Sequence, residues 1–362
     1  MDTPLKVLTV VGNRPQFIKA AAVSPRLRAT AEELLVHTGQ HFDDELSAVF
    51  FAELGLPAPD VQLAIAGGSN TSQSARMLSA LEPVIADAAP DCVLVYGDTN
   101  STLAGALAAV QQNLPVAHVE AGMRSFDRSM PEEINRVLTD HLSALLLCSS
   151  ESAVANLREE GIAGAELVGD VMVDVALEAQ PRARERVDLV IAHGLEPGCY
   201  LLATAHRAGN VDDPARLEAL VELLLGLEQP IVLPLHPRTR QRLQAAGLLE
   251  HLAGDGAVRV TQPLGYFELT ALLCNARAVL TDSGGLQKEA YLAAVPCVTL
   301  RPSTEWTETV DAGWNTLVDL NLDAARAALA APAPNEHPAL YGDGRAGERV
   351  VAALAGGFGA GH

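Results

Sequence analysis

Short apolar, β-branched runs alternate with amphipathic stretches along almost the whole chain, and this alternation constrains the fold more than any other feature. A run such as Cys92-Val93-Leu94-Val95-Tyr96 shows no polar face. Such a strand must be covered on both sides, as happens in parallel sheets flanked by helices. Strand-like runs occur at residues 6–11, 34–37, 92–96, 115–119 and 145–148, and again at 200–204, 231–235, 258–261, 278–280 and 296–300. Helical patterns fall between them, at 16–28, 44–53, 71–87, 99–112, 132–141 and 152–160, then at 214–226, 266–275 and 286–293. The expectation is an α/β protein made of two Rossmann-like, doubly wound domains facing a cleft.

The 362 residues suffice for two such domains. The break is expected near 169–180, where a turn-like segment gives way to an Arg/Glu-rich helix at 182–190. This predicts an N-terminal domain over 1–170 and a C-terminal domain over 171–345. A last helix at 347–355 is expected to pack back on the first domain, with 356–362 frayed. Net charge is −20, from 45 acidic and 25 basic residues, which argues against nucleic acid and acidic membranes as partners. The five cysteines are scattered, without CxxC or zinc spacing, and read as buried thiols of a reducing compartment. The first apolar run spans only about five residues, too short for a signal peptide or a membrane span. A cytoplasmic protein is expected.

Chemistry is expected at the strand ends. After the run ending at Val119 come Glu120, Asp127, Glu132 and Glu133 with Arg124, Arg128 and Arg136, before an amphipathic helix. Polar groups crowded at the C-terminal end of a parallel strand mark an α/β active site. Glu120 ends a buried strand, where an unpaired carboxylate is costly. Ser129-Met130-Pro131-Glu132 reads as a capping box with Glu132 at N3, so one of Glu132 and Glu133 suffices for catalysis. Gly12-Asn13-Arg14-Pro15 sets Arg14 at a helix start, as a capped turn or an anion contact. In Gly97-Asp98-Thr99, Asp98 or Thr99 either caps the next helix or belongs to the site. Ser283-Gly284-Gly285 lets backbone amides approach a phosphate, with Glu289 one turn further on, placed to hold ribose hydroxyls. His206-Arg207 and His236-Pro237-Arg238 place His and Arg together at two strand ends, which suits a polyanion.

Together these motifs resemble the non-hydrolysing UDP-N-acetylglucosamine 2-epimerase family. The resemblance runs through Gly12-x-Arg14-Pro15, His37-Thr38-Gly39-Gln40-His41-Phe42-Asp43, Gly97-Asp98-Thr99-Asn100-Ser101, His118-Val119-Glu120-Ala121-Gly122, Pro131-Glu132-Glu133-x-Asn135-Arg136, His206-Arg207 and Asp282-Ser283-Gly284-Gly285-x-Gln287-x-Glu289. It implies a GT-B-like fold, a homodimer, and no metal or nicotinamide cofactor. It also implies that UDP leaves C1 as a base removes the C2 proton, and that UDP re-adds to C1 of the resulting glycal with protonation on the opposite face of C2. Carried over, Asp98, Glu120, Glu132 and His206 form the catalytic set. Arg14, Lys19, His236, Ser283, Gly284, Gly285 and Glu289 contact nucleotide and phosphates. Two departures stand out: Gln16 replaces the usual glutamate, and Thr304-Glu305-Trp306-Thr307-Glu308 replaces Thr-Glu-Arg-Pro-Glu. Trp306 is expected to stack where the arginine is lost. Arg124-Ser125-Phe126 and Thr304-Glu305-Trp306 also resemble the branch acting on UDP-2,3-diacetamido-2,3-dideoxyglucuronate, which makes the same reaction on that sugar the alternative. A GT-B glycosyltransferase is a further one.

Overall fold

The computed structural model describes residues 4–40, 53, 55–254 and 256–359. The helix expected over 44–53 lies outside them except for its last residue, as do His41, Phe42 and Asp43. The chain divides into two compact units, residues 1–175 with 341–362, and residues 176–340.

The first unit carries a sheet of seven parallel strands: β1 (Lys6–Val11), β2 (Glu32–His37), β3 (Val61–Gln62), β4 (Cys92–Tyr96), β5 (Val116–Ala121), β6 (Leu145–Cys148) and β7 (Ala165–Leu167). They are ordered β3-β2-β1-β4-β5-β6-β7. The second unit has six parallel strands: β8 (Leu201–Thr204), β9 (Ile231–Pro234), β10 (Val258–Thr261), β11 (Ala278–Thr281), β12 (Cys297–Thr299) and β13 (Asn315–Leu317), ordered β10-β9-β8-β11-β12-β13. Both orders are Rossmann-like. The sheet reverses direction between β1 and β4 in the first unit and between β8 and β11 in the second. Ligands of such sheets bind at the carboxyl ends of the strands flanking that reversal.

The strands are apolar throughout because both faces are covered. In the first unit Leu8, Val10, Val93 and Val95 pack on Met77, Leu81, Ile85, Ala104 and Ala108. In the second, Leu201, Ala203, Leu233 and Leu280 pack on Leu217, Leu220 and Val221, while Leu202, Val232 and Val279 face Leu272, Leu286 and Ala290. The last helix, Ala346–Phe358, packs on the helix Arg14–Leu27 and on β6. Buried Asp174 accepts the free amides of Ala346 and Gly347 at 3.0 and 2.7 Å. Gly347 is obligatory, since a Cβ there would lie 2.3 Å from the Ala22 carbonyl oxygen.

Several expectations need correction. The chain passes between units inside a helix, Val171–Glu185, because Val171, Val173, Val175 and Ala176 are buried along it. The turn is confined to Gly169 and Asp170, whose carboxylate accepts the Met172 amide at 2.8 Å. The last helix runs through Gly356 and Gly357 to Phe358, so that part of the tail is ordered. The helix after β11 starts at Gly284, two residues earlier than expected.

Candidate functional site

In the first unit the chain after β1 turns at Gly12. A Cβ there would lie 2.0 Å from the Ser101 hydroxyl oxygen. Gln16 explains its own departure from the usual glutamate. Its carbonyl accepts the Gly12 amide at 2.7 Å, while its NH2 donates to the Tyr96 carbonyl at 2.8 Å and to Thr102 Oγ1 at 2.9 Å. A carboxylate could do only the first. Asn13 caps the helix Arg14–Leu27, leaving Arg14 half-buried in its first turn. Lys19, one turn further, is buried and pairs with Glu120.

Glu120 sits at an irregularity in the β5–β6 register, between Val119 and Ala121, with φ +71°. For a non-glycine residue this left-handed backbone costs on the order of 1–2 kcal/mol, and it persists only where surrounding structure imposes it. β4 is followed by Gly97, φ +63°, where a Cβ would lie 3.0 Å from Lys19 Nζ and 3.1 Å from Glu120 Oε2. Asp98 follows. Its carboxylate takes Arg136 Nη2 at 2.5 Å and its carbonyl accepts Asn135 Nδ2 at 2.9 Å. The helix cap here is Thr99, through reciprocal bonds with Thr102, which leaves the Asp98 side chain for the site. Lys19, Asp98 and Glu120 therefore gather around one glycine.

The two neighbouring glutamates of the helix Pro131–Leu142 divide sharply. Glu133 is buried. It accepts the Ser125 amide and hydroxyl at 2.8 and 3.0 Å, the Phe126 amide at 3.0 Å and Arg136 Nη1 at 3.1 Å. Burial alone would push its carboxyl up, but these donors outweigh it and hold it below the usual carboxylate value. Glu132 is exposed, and lies four residues before Arg136, hence on the Asp98 side of the helix. The expected capping box is absent. Met130 is the N-cap residue, with no side-chain bond, and the Ser129 hydroxyl instead donates to Asp127 at 2.6 Å. Asp127 and Arg128 are exposed.

In the second unit β11 leads into Asp282, fully buried and held by no helix of its own. Its carboxylate accepts the amides of His206 and Arg207 at 3.1 and 3.0 Å and Asn210 Nδ2 at 3.1 Å. The end of β11 thus anchors the loop after β8, its neighbour in the sheet. In the sequence Asp282 stands ahead of the Ser283-Gly284-Gly285 turn without a task of its own. A buried carboxylate directly after an apolar strand was the available signal. His206 is 42% exposed, with Nδ1 3.6 Å from Asp282, and its ring centroid lies 5.9 Å from that of His236. His236 Nδ1 accepts the Arg238 amide at 3.2 Å, so the proton of its neutral ring sits on Nε2. Burial, then His206 and Arg238, depress its basicity.

Ser283 caps the helix Gly284–Leu292 through the Leu286 amide. The amides of Gly284 and Gly285 fall in its first turn and have no intrahelical partner. A Cβ on Gly285 would meet nothing nearer than the Ser283 hydroxyl at 3.9 Å, whereas Gly284 is closed in by Glu305 and Trp306. Trp306 is tied down. Its Nε1 donates to the Gly284 carbonyl at 2.8 Å and Lys288 Nζ lies 4.9 Å above its ring. Glu305 links Arg207 at 3.4 Å to Arg301 at 2.8 Å. Glu289 is half-buried one turn in. Among the described residues no group of three or more His, Cys, Asp or Glu side chains could hold a metal ion, and no helix is long and apolar enough to cross a membrane.

Comparison with known proteins gives the same outline. Residues 26–355 match the UDP-N-acetylglucosamine 2-epimerase family model. The chain is 48% identical to a UDP-2,3-diacetamido-2,3-dideoxy-D-glucuronate 2-epimerase of Pseudomonas aeruginosa, over 97% of this chain and 99% of the relative. It is 40% identical to the UDP-N-acetylglucosamine 2-epimerase of Methanocaldococcus jannaschii over the same shares. The crystal structure of the M. jannaschii enzyme in complex with UDP-GlcNAc and UDP superposes with a TM-score of 0.86, covering 97% of this chain and 99% of that one. With its two Rossmann-like units in a GT-B-like fold, the chain belongs to the UDP-N-acetylglucosamine 2-epimerase family of isomerases.

Proposed function

We propose that the protein epimerises C2 of UDP-N-acetylglucosamine, interconverting it with UDP-N-acetylmannosamine without hydrolysis. The observation that carries this reading is the cluster around Gly97. There Glu120, in a left-handed backbone conformation, meets Lys19, and Asp98 meets Arg136. The C2 proton has no adjacent carbonyl to acidify it, so its loss must accompany departure of UDP from C1, where positive charge develops. Inversion then needs a base on one face of C2 and an acid on the other. Asp98, Glu120 and Glu132 supply these groups. The second unit is assigned the nucleotide: the Gly284 and Gly285 amides, Arg207 and neutral His236 meet the diphosphate and Glu289 the ribose. His206 is kept in the catalytic set, and Arg14 and Lys19 are assigned phosphate contacts. Trp306 shapes the first turn of the diphosphate-binding helix. No metal or nicotinamide is assigned to the reaction, and the enzyme is taken to work as a cytoplasmic homodimer. Its free cysteines suit a reducing compartment.

The test is incubation with UDP-GlcNAc in D2O. Formation of UDP-ManNAc with deuterium at C2 is expected, and product without deuterium refutes the mechanism. The 48% identity to the P. aeruginosa relative favours a second substrate, UDP-2,3-diacetamido-2,3-dideoxyglucuronate. A parallel NMR time course on both sugars decides by relative kcat/KM. A glycosyltransferase would turn over neither without an acceptor.

A further inference from the structure

His118 lies in the middle of β5, fully buried between apolar neighbours. Each ring nitrogen faces one partner. Nε2 is 2.7 Å from the Gly97 carbonyl oxygen and Nδ1 is 2.7 Å from Asp140 Oδ1. A carbonyl only accepts, so Nε2 must carry a proton. Asp140 is also fully buried, and its Oδ2 accepts Arg124 Nη1 at 2.7 Å and the Gly122 amide at 3.1 Å. Oδ2 thus faces two obligate donors, the Arg124 guanidinium and the Gly122 amide, which favour the ionised carboxylate. An ionised carboxylate cannot donate either, so Nδ1 carries the second proton. Further out, Arg124 grips Glu160 through two bonds of 2.7 Å. From the surface inward the charges alternate: Glu160 negative, Arg124 positive, Asp140 negative, His118 positive. The alternation is what lets a cation stand inside the core, where an unpaired one would be strongly destabilising.

The inner end of this row is Gly97. Its amide donates to the Val119 carbonyl at 2.9 Å, its missing Cβ leaves room for Lys19 and Glu120, and the next residue is Asp98. We infer that His118 is a positioning residue for the proton-transferring carboxylates: as a buried imidazolium it clamps the Gly97 carbonyl, fixes the turn that presents Asp98, and sets positive charge behind Asp98 and Glu120. The catalytic half of this inference rests on the proposed reading of those carboxylates; the charge state of the ring does not. Around the same turn stand Lys19, paired with Glu120, and Arg136, paired with Asp98, while Cys148 on β6 lies near Asp140 and Arg124. Burial pushes the Cys148 thiol up to about 12, so it stays neutral.

Nitrogen-15 NMR of the wild-type enzyme with labelled histidine tests the charge. Of its ten histidines, one ring should carry a proton on both nitrogens at neutral pH, each N–H hydrogen-bonded to an acceptor. No such ring overturns the assignment, whatever the enzyme turns over. Two variants test the role. His118→Gln keeps an N–H for Gly97 without the charge, and His118→Asn loses the reach as well. Either should lower kcat about 10-fold or more with KM within about 2-fold. Either should also move the acid limb of the kcat profile to higher pH, because removing a cation favours the protonated carboxylate. An unmoved limb in whichever variant folds, or kcat and KM changing together, refutes the positioning role. A wild type inactive on both UDP-sugars would instead sink the proposed function and leave the NMR result standing.

Discussion

Replacing Gly97 by alanine separates backbone strain from catalysis, because the structure sets a magnitude for each. At φ +63° an L-residue costs about 1–2 kcal/mol relative to glycine. For a unit of this size that lowers Tm by roughly 2–8 °C. The new methyl would stand 3.0 Å from Lys19 Nζ and 3.1 Å from Glu120 Oε2. Both contacts are with the ends of flexible side chains, so the pair yields by a few tenths of an ångström at little cost in stability. Catalysis is less forgiving. A misplacement of about 1 Å can cost ~100-fold, so a shift of this size should lower kcat on the order of 10-fold. The assay is a pair of measurements, guanidinium unfolding at unchanged m-value and steady-state epimerisation, with Gly161→Ala as control. Gly161 has φ +75° and nothing within 4 Å of its would-be Cβ, so it should lose similar stability and no turnover. If Gly97→Ala loses the stability yet keeps its kcat, the Lys19–Glu120 pair does not belong to the reacting centre.

The adjacent glutamates give an opposed pair. Glu133→Gln should cost about 2–3 kcal/mol of stability in denaturant unfolding, because its oxygens serve three N–H or O–H donors and Arg136. Glu132→Gln should stay within ~0.5 kcal/mol of wild type and lose turnover; the reverse pattern would contradict both assignments. The Glu133 contribution has a defined pH sign. Its folded value lies below the unfolded value near 4.5, so the stabilisation is full above that pH and is lost as pH falls through the folded value. The stability gap between wild type and Glu133→Gln should therefore shrink on acidification, and a gap that persists in acid would disprove the linkage. Asp282→Asn should weaken three charge-assisted bonds to residues 206–210 by about 1 kcal/mol each. Calorimetry should show UDP bound roughly 10-fold more weakly, whereas unchanged affinity would mean that this loop does not hold the nucleotide.

Much of the fold was legible because parallel strands carry their burial in their composition. β1, β4 and β6 fall where the apolar runs lie, and β8 and β11 within one residue of them. The strands that escaped notice, β3, β7 and β13, are two or three residues long and too short to show a period. The short helices Pro237–Ala245 and Leu322–Ala330 were likewise missed, the first being polar almost throughout and the second an alanine-rich stretch ahead of the Pro/Ala segment. At the site, Asp98 and Glu120 could be read as carboxylates placed just after buried strands. The Ser129–Glu132 pattern misled because a capping motif specifies only which bonds are available. Asp127, two residues away, took the serine hydroxyl.

By itself the sequence determined the two covered parallel sheets, the strand ends where polar groups collect, and the family. These follow from local period and from motifs that survive without knowledge of neighbours. Tertiary structure decided which charges are spent and on what. Lys19 reaches Glu120 across 101 positions and Asp282 holds His206 across 76. Glu133 is committed to a loop while Glu132 stays exposed. His118, unremarkable in an apolar strand, meets two acceptors and becomes a cation. The physical reason is range. Hydrogen bonds and ion pairs act over about 3 Å, and only the folded sheet order brings strand ends far apart in sequence to that distance.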